Sequence, residues 1–330
     1  MTDTPPISPI EQAFEDLRAG RMIVLIDDED RENEGDLVMA AQEVTPQAIN
    51  FMLQLGRGVL CLPMTRQRCE ELSLPLQTSH NTSRFGTAFT VSIDAHPRFG
   101  VTTGVSTADR CKTIEVACAP DTQPSDVVRP GHINPLMARD GGVLVRAGQT
   151  EGSVDLMKLA GLRPEAVLIE IMNPDGTMAR LPDLTRFAAE HKLNIYTVAS
   201  IIEYRQKHED FLHRGETVQL PTRFGEFKLI EYHSPVDVEP HLALCCGGVG
   251  DPGPDGKPVI HDEPVLVRVE SECFTGHVFG SARCDCGEQL ATSMQLIQKA
   301  GKGALIYLRS LTSRFSRTAL GLPIICANVP

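Results

Sequence analysis

Seven carboxylates stand within ten residues in the run Asp27-Asp28-Glu29-Asp30-Arg31-Glu32-Asn33-Glu34-Gly35-Asp36. A charge run by itself is usually a solvated face. This one joins two apolar stretches, RMIVLI and DLVMAA, with no spacer, so several carboxylates must crowd at strand ends. Crowded carboxylates repel one another, and a divalent cation or a substrate relieves that repulsion. Oxygen-only ligands favour Mg2+ or Mn2+ over zinc. Arg31 is the lone cation of the run and suits a phosphate or a carboxylate. Downstream, Arg146-Ala147-Gly148-Gln149-Thr150-Glu151 lies at an expected strand-to-helix junction, where free backbone N–H groups and an arginine bind phosphate. The hydroxyl-rich stretch VTTGVSTADR, with Thr103 near its start, fits a polar pocket wall. In Arg129-Pro130-Gly131-His132 the Pro-Gly pair predicts a turn holding His132 on a rigid corner, although a lone His is more often structural. Together the clusters point to a metal-dependent site for a small phosphorylated polyol. Separately, Cys273, Cys284 and Cys286 have a spacing that suits zinc with an open fourth position.

The elements that must position these residues read as a mixture of strands and helices. SPIEQAFEDLRAG predicts a helix capped by Ser8 and stopped by Gly20. RMIVLI, DLVMAA, GVLCLPM, the end of residues 81–94, GGVLVR, AVLIEIM and NIYTVA predict strands. Helices are expected from Thr45-Pro46 towards Gly56, from Thr150, and over PDLTRFAAEHKL. The polar stretch 205–215 reads as a connector between two domains, residues 1–205 and 210–330. Beyond it, LPTRFGEFKLIEYHS, PVLVRVESE and GALIYLR predict strands, EQLATSMQLIQKAG an amphipathic helix, and GGVGDPGPDGKP an exposed loop. The fold class is α+β with a mixed sheet, followed by a partial second α+β domain.

Composition excludes several functions. The 330 residues carry a net charge of -12, which repels phosphate backbones and argues against nucleic-acid binding. No apolar run approaches the roughly 18 residues of a membrane span. The N-terminus lacks the basic start and apolar stretch of a signal peptide, so a cytoplasmic, reducing location is expected for the ten cysteines. With no tryptophan, an aromatic stacking platform for sugars or bases is disfavoured.

DDEDRENEGD, GRGVLC, NTSRFGTAFTVSID, TTGVSTADR, RPGHINPL, GGVLVRAGQTEGSVDLMKLAG and NPDGTMAR, in this order over about residues 8–205, closely resemble the 3,4-dihydroxy-2-butanone 4-phosphate synthase family of riboflavin biosynthesis. The resemblance implies conversion of ribulose 5-phosphate to the four-carbon phosphate plus formate with Mg2+, in a homodimer with active sites at the subunit interface. By motif, Glu32 is the carboxylate metal ligand, and Arg31 and Asp36 contact substrate with Glu34 nearby. Cys61 lines the pocket, and Arg146 and Thr150 hold the phosphate end. His132 and Glu170 match the family's essential His and Glu, the candidates for proton transfer. The family motif Arg-x-Gly-His-Thr-Glu carries the second metal ligand on its His, whereas this chain has Gln149. A glutamine carbonyl is acceptable to Mg2+ but cannot move protons as imidazole does. An intact fold with weakened synthase activity is the expectation.

LVRVESECFTGHVFGSARCDCGEQL resembles the zinc-site segment of GTP cyclohydrolase II. That resemblance places zinc on Cys273, Cys284 and Cys286 and ties Arg268 and Gln289 to GTP. It stops near Arg309, where SLTSRFSRTALGLPIICANVP follows instead of the family's catalytic segment, so GTP turnover is expected to be absent. Two other readings stay open. One is a relative that binds metabolites or regulates without turnover. The other is a bifunctional enzyme that also acts on GTP.

Overall fold

The computed structural model describes residues 7–309 except 211, 235, 236, 238, 255, 257 and 258. The segment 310–330, with Cys326 and all of the sequence expected to break the cyclohydrolase resemblance, lies outside the described residues. The chain divides into two compact units, Met1–His208 and Glu209–Pro330. No helix among the described residues is long and apolar enough to cross a membrane.

In the first unit the elements run α1 (Ile10–Arg18), β1 (Ile23–Ile26), β2 (Gly35–Ala40), α2 (Pro46–Phe51), β3 (Cys61–Met64), α3 (Arg66–Glu71), β4 (Ile93–Ala95) and α4 (Thr107–Cys118). They continue with β5 (Val127–Met137), α5 (Gln149–Leu159), β6 (Ala166–Glu170), α6 (Leu181–His191), β7 (Ile195–Thr197) and α7 (Val198–His208). The seven strands form one mixed sheet in the order β4-β5-β3-β6-β2-β1-β7. Side chains alternate across a strand, so the fully buried β1 feeds two cores. Ile23 and Leu25 pack with Leu156 and Met157 of α5 and Ile201 of α7, while Val24 and Ile26 pack with Ile49, Ile114 and Leu184 on the other face. Each such side chain contributes about 2 kcal/mol by leaving water. The two-sided burial explains why RMIVLI is continuously apolar.

The second unit holds β8 (His213–Thr222), β9 (Gly225–His233), β10 (His241–Cys246), β11 (Leu266–Ser271), α8 (Phe274–His277), α9 (Cys286–Ala300) and β12 (Gly303–Leu308). Its sheet runs β11-β12-β10-β9-β8, with β11 and β12 parallel. The core is small, with Phe227, Met294, Ile297 and Leu305 at its centre. Val267, Phe274, Val278 and Phe279 are exposed.

Several local expectations are corrected. GGVLVR is not a strand but a 3-10 turn over Gly142–Leu144, entered through positive φ at Gly141 and Gly142. Val143 and Leu144 are buried, and the Val143 N–H donates to Asp155 Oδ2 at 2.8 Å. A short apolar run cannot by itself distinguish a strand from a buried turn. The N-terminal helix is capped by Pro9 with no side-chain bond, rather than by Ser8. Within 81–94 only the last two residues belong to a regular strand, joined by isolated bridges at Phe89 and Thr90. The expected connector begins as the last turn of α7, through His208, and β8 starts at His213.

The Pro-Gly corner lies inside β5. Ile93 pairs with Ile133 while Asp94 pairs with Val128, so residues 129–132 bulge from the strand. A proline, which has no N–H for the ladder, is tolerated in such a bulge. At Gly131 any Cβ would run into the backbone of Ile93 and Asp94. Gly131→Ala is therefore expected to lower stability by about 3 kcal/mol. Chemical denaturation measures this, and an unchanged midpoint would show that the two strands do not approach as described.

Candidate functional site

The antiparallel pair β1 and β2 brings Ile26 opposite Gly35, so residues 27–34 form a loop at the sheet end. Asp27 fastens this loop from within. Its Oδ1 accepts the Glu34 N–H at 2.9 Å and its Oδ2 accepts the Glu32 N–H at 3.1 Å. The acidic run splits accordingly: Asp28, Glu29 and Asp30 face solvent, whereas Asp27 and Asp36 are buried. One guanidinium nitrogen, Arg31 Nη1, donates to Asp27 Oδ2 at 2.6 Å, Glu32 Oε2 at 2.8 Å and Gln149 Oε1 at 3.0 Å. Gln149 Nε2 reaches the Glu34 carbonyl at 3.3 Å. The Phe85 ring lies 5.1 Å from the Arg31 guanidinium, within cation–π range. Arg180 donates to the carbonyls of Glu32 and Asn33.

Asp36 and Glu170 are direct partners across β2 and β6. Asp36 Oδ1 is buried with no hydrogen-bond partner. Burial first, then the charges of Glu170, Glu32, Asp27 and Glu34, hold the Asp36 carboxyl well above its ordinary value of 3.8. Burial and Glu32 also raise Glu34. Glu170 Oε2 accepts the Val59 N–H at 2.7 Å. The Cys61 thiol, opposite Leu168, is pushed well up by burial and then by Glu170 and Asp36, so it stays protonated and shapes the site rather than attacking.

Helix α5 supplies the opposite wall. Arg146 donates to the Phe85 carbonyl, to Thr87 Oγ1 and to buried Glu151. Gly148 lets the backbone pass between two guanidiniums, since a Cβ there would lie 2.6 Å from Arg146 Nη1 and 2.8 Å from Arg31 Nη2. Thr150 is buried in the first turn of α5. Beside these groups a cleft of about 450 Å3 opens between Glu32 and the loop 76–89, lined by Thr78, His80, Asn81, Ser83 and Arg84 among others.

Hydrogen bonds, strand pairing and electrostatic coupling thus bring together Arg31, Glu32, Glu34, Asp36, Cys61, Arg146, Gln149 and Glu170. His132 and Thr103 gather around Asp94. His132 Nδ1 lies 2.7 Å from Asp94 Oδ2, and the His132 N–H donates to Asp94 Oδ1 at 3.0 Å. Gly104, next to exposed Thr103, covers this pair. No bond among the described residues links His132 to the acidic crevice. Sequence reasoning gave no specific role to Asp27, Phe85, Asp94 or Arg180. Arg180 ends the quoted motif NPDGTMAR, and that is the one signal that could have drawn attention to it.

Glu32 and the Gln149 carbonyl are oxygen donors of the kind a hard divalent cation takes, with Glu34 and the orphaned buried oxygen of Asp36 nearby. Their atoms do not converge as tightly as the sulfurs of Cys273, Cys284 and Cys286, which all lie within 4.8 Å of one another. Hydrogen bonds from the Gly276 backbone and the Thr275 side chain pull the Cys273 thiol below its ordinary value, while burial and the neighbouring thiols push Cys286 up to about 12. A Cβ at Gly276 would lie 2.9 Å from Cys284 Sγ, so only glycine lets the chain pass over the three thiols. Nearby, Arg268 is engaged by Glu270 Oε2 at 2.7 Å and by Gln289 Oε1 at 2.6 Å.

The 3,4-dihydroxy-2-butanone 4-phosphate synthase family model matches residues 11–204, and the GTP cyclohydrolase II model matches 213–318, a few residues past Arg309. The chain is 53% identical over 299 residues to the riboflavin biosynthesis protein RibBA of Aquifex aeolicus, covering 91% of this chain and 71% of that one. It is 50% identical over 313 residues to the bifunctional riboflavin biosynthesis protein RIBA 1 of Arabidopsis thaliana, covering 94% of this chain and 55% of that one. Among solved structures it resembles RibBX, a two-domain 3,4-dihydroxy-2-butanone 4-phosphate synthase from A. baumannii. The TM-score is 0.74 at 38% identity, over 95% of this chain and 85% of that one. A synthase solved with two magnesium ions matches with TM-score 0.58 at 39% identity, over 61% of this chain and 98% of that one.

A raised folded-state value means the folded chain keeps a proton at Asp36 that the unfolded chain releases. That contribution to stability is complete below pH 3.8 and is lost as pH rises through the folded-state value. Asp36→Asn cannot ionise. It is expected to raise the neutral-pH melting temperature of metal-free protein and to flatten this pH dependence. Thermal melts in chelator from about pH 4 to about pH 8 test this, and a lower melting temperature for the variant at neutral pH would contradict it.

Proposed function

The chain belongs to the 3,4-dihydroxy-2-butanone 4-phosphate synthase family of riboflavin biosynthesis, its synthase domain fused to a GTP cyclohydrolase II domain, and on that premise we propose that the crevice around Arg31 and Glu32 is where ribulose 5-phosphate is converted. The observation that carries the reading is the Asp36–Glu170 pair beneath the acidic loop. A buried carboxyl that keeps its proton places a donor directly beside a second carboxyl group. Asp36 is the member that keeps its proton.

Arg146 and the N-terminal turn of α5, with Thr150, hold the phosphate and so supply binding energy remote from the reacting carbons. Arg31 and Asp36 orient the hydroxyls. Glu170, Glu34 and His132 take and return protons, and Cys61 keeps the floor of the pocket closed to water. Glu32 and the Gln149 carbonyl, both bonded to Arg31 here, are the groups that would hold Mg2+ or Mn2+. A bound dication supplies Lewis-acid stabilisation of negative charge developing beside the ketone. The homodimer that the family resemblance implies completes the site with residues of a second copy of the chain. A reducing cytoplasmic location suits the free thiols.

Purified protein given ribulose 5-phosphate and Mg2+ is expected to release formate, and release no greater than a protein-free blank would overturn the proposal. Gln149→His, which restores an imidazole at the second ligand position, is expected to raise the rate about tenfold. An unchanged or lower rate would mean that Gln149 is a working ligand as it stands. The commitment of the Gln149 carbonyl to Arg31 favours one competing reading, ligand binding without turnover. Calorimetry showing binding with no formate would establish it. With GTP as substrate no formate is expected, because Arg268, the residue tied to that nucleotide, is held by Glu270. The RibBX relative is named a two-domain 3,4-dihydroxy-2-butanone 4-phosphate synthase. GTP-dependent formate or pyrophosphate would instead make the chain bifunctional.

Cys273, Cys284 and Cys286 hold zinc through three sulfurs. Metal analysis is expected to find about one zinc per chain, lost in Cys284→Ser. Zinc retained at full stoichiometry in that variant would contradict the assignment.

A further inference from the structure

Asp94 lies in β4, opposite the β5 bulge, and both of its oxygens lie within hydrogen-bond distance of the same residue. Oδ1 takes the backbone N–H of His132 at 3.0 Å, and Oδ2 lies 2.7 Å from the ring Nδ1. The carboxylate is buried, whereas the imidazole side chain is 42% exposed, and its Nε2 meets no partner among the described residues. The pair cannot shift. Gly131 pins the bulge against the backbone of Ile93 and Asp94, and Gly104, at φ +85°, closes over it so tightly that a Cβ would lie 2.6 Å from His132 Nδ1. Gly104 is held in turn by its N–H bond to Asp109 Oδ2 at 3.2 Å.

We propose that Asp94 is the positioning residue for His132, fixing the ring in the tautomer with its proton on Nδ1 and so presenting Nε2 as the atom that exchanges protons with substrate. This rests on reading His132 as a proton-transfer group. A carboxylate that accepts at both oxygens leaves the ring one choice, because Nδ1 must donate. Nε2 then carries the lone pair, takes a proton from substrate and returns it to the departing hydroxyl, while the Nδ1 proton stays where it is. An asparagine cannot replace Asp94. It has a single acceptor oxygen, so its NH2 faces either the His132 backbone N–H or Nδ1, and in the second case it drives the ring to the tautomer with its proton on Nε2.

Asp94→Asn is expected to lower kcat about a hundredfold, with KM within about threefold, and Asp94→Glu is expected to recover part of the loss. The deciding measurement needs no turnover: NMR of protein carrying isotopically labelled histidine, with the His132 signal identified by its loss in His132→Ala. The wild type must show the proton on Nδ1, and Asp94→Asn must lower the fraction of rings that carry it there. A wild-type proton on Nε2 overturns the proposal, as does full activity in a folded Asp94→Asn variant. Failure of the underlying reading looks different: His132→Ala then keeps full activity whatever the tautomer.

Discussion

Everything in the acidic crevice is arranged around one guanidinium. Arg31 Nη1 reaches the carboxylates of Asp27 and Glu32 and the amide oxygen of Gln149, three groups that come from two distant parts of the chain. Without a cation at this point the loop would hold mutually repelling carboxylates next to a buried Asp36. With it, the loop folds back on its own Asp27. Removing one partner of so buried an ion pair leaves an uncompensated charge, at a cost of roughly 3–5 kcal/mol. Arg31 therefore does structural work at the place where a divalent cation is proposed to act. A cation bound there would compete with the guanidinium for the same oxygens, Gln149 Oε1 among them.

The same constraint explains the glycines around the site. Gly148 lets α5 begin between Arg31 and Arg146, and Gly131 and Gly104 hold the Asp94–His132 pair from two sides. Gly148 and Gly104 are small because the backbone passes a charged group too closely for a side chain, and Gly131 because it meets the backbone of Ile93 and Asp94. The crevice is rigid where the chemistry needs fixed donors, and the described cleft opens on the side of the loop 76–89, whose hydroxyl and amide groups suit a polyol.

The second unit follows a different logic. Its core is small, and its three thiols converge because Gly276 carries the chain over them. Sulfur donors there and oxygen donors in the first unit would give the two proposed sites different metal preferences. Arg268 turns inward to Glu270 and Gln289. A residue that resemblance ties to a nucleotide is thus occupied by the chain's own carboxylate.

Much of this molecule was legible in its residues. Long apolar runs such as RMIVLI and AVLIEIM announced strands buried on both faces, because a strand that feeds two cores has no polar side to show. The ordered motifs announced the family, and three cysteines at short spacing announced a thiol cluster. GGVLVR was misread as a strand because two glycines at positive φ bend an apolar run into a turn, a property invisible in hydrophobicity. The partners of Arg31 and the neighbour of His132 could not be read at all. Asp27 was one acid among seven, and Asp94 lies far from His132 in sequence. The sequence by itself determined which groups carry charge, protons and metal affinity. Only the tertiary structure decided which of them meet, because contact depends on strand register and bulges that bring together residues with no sequence relation.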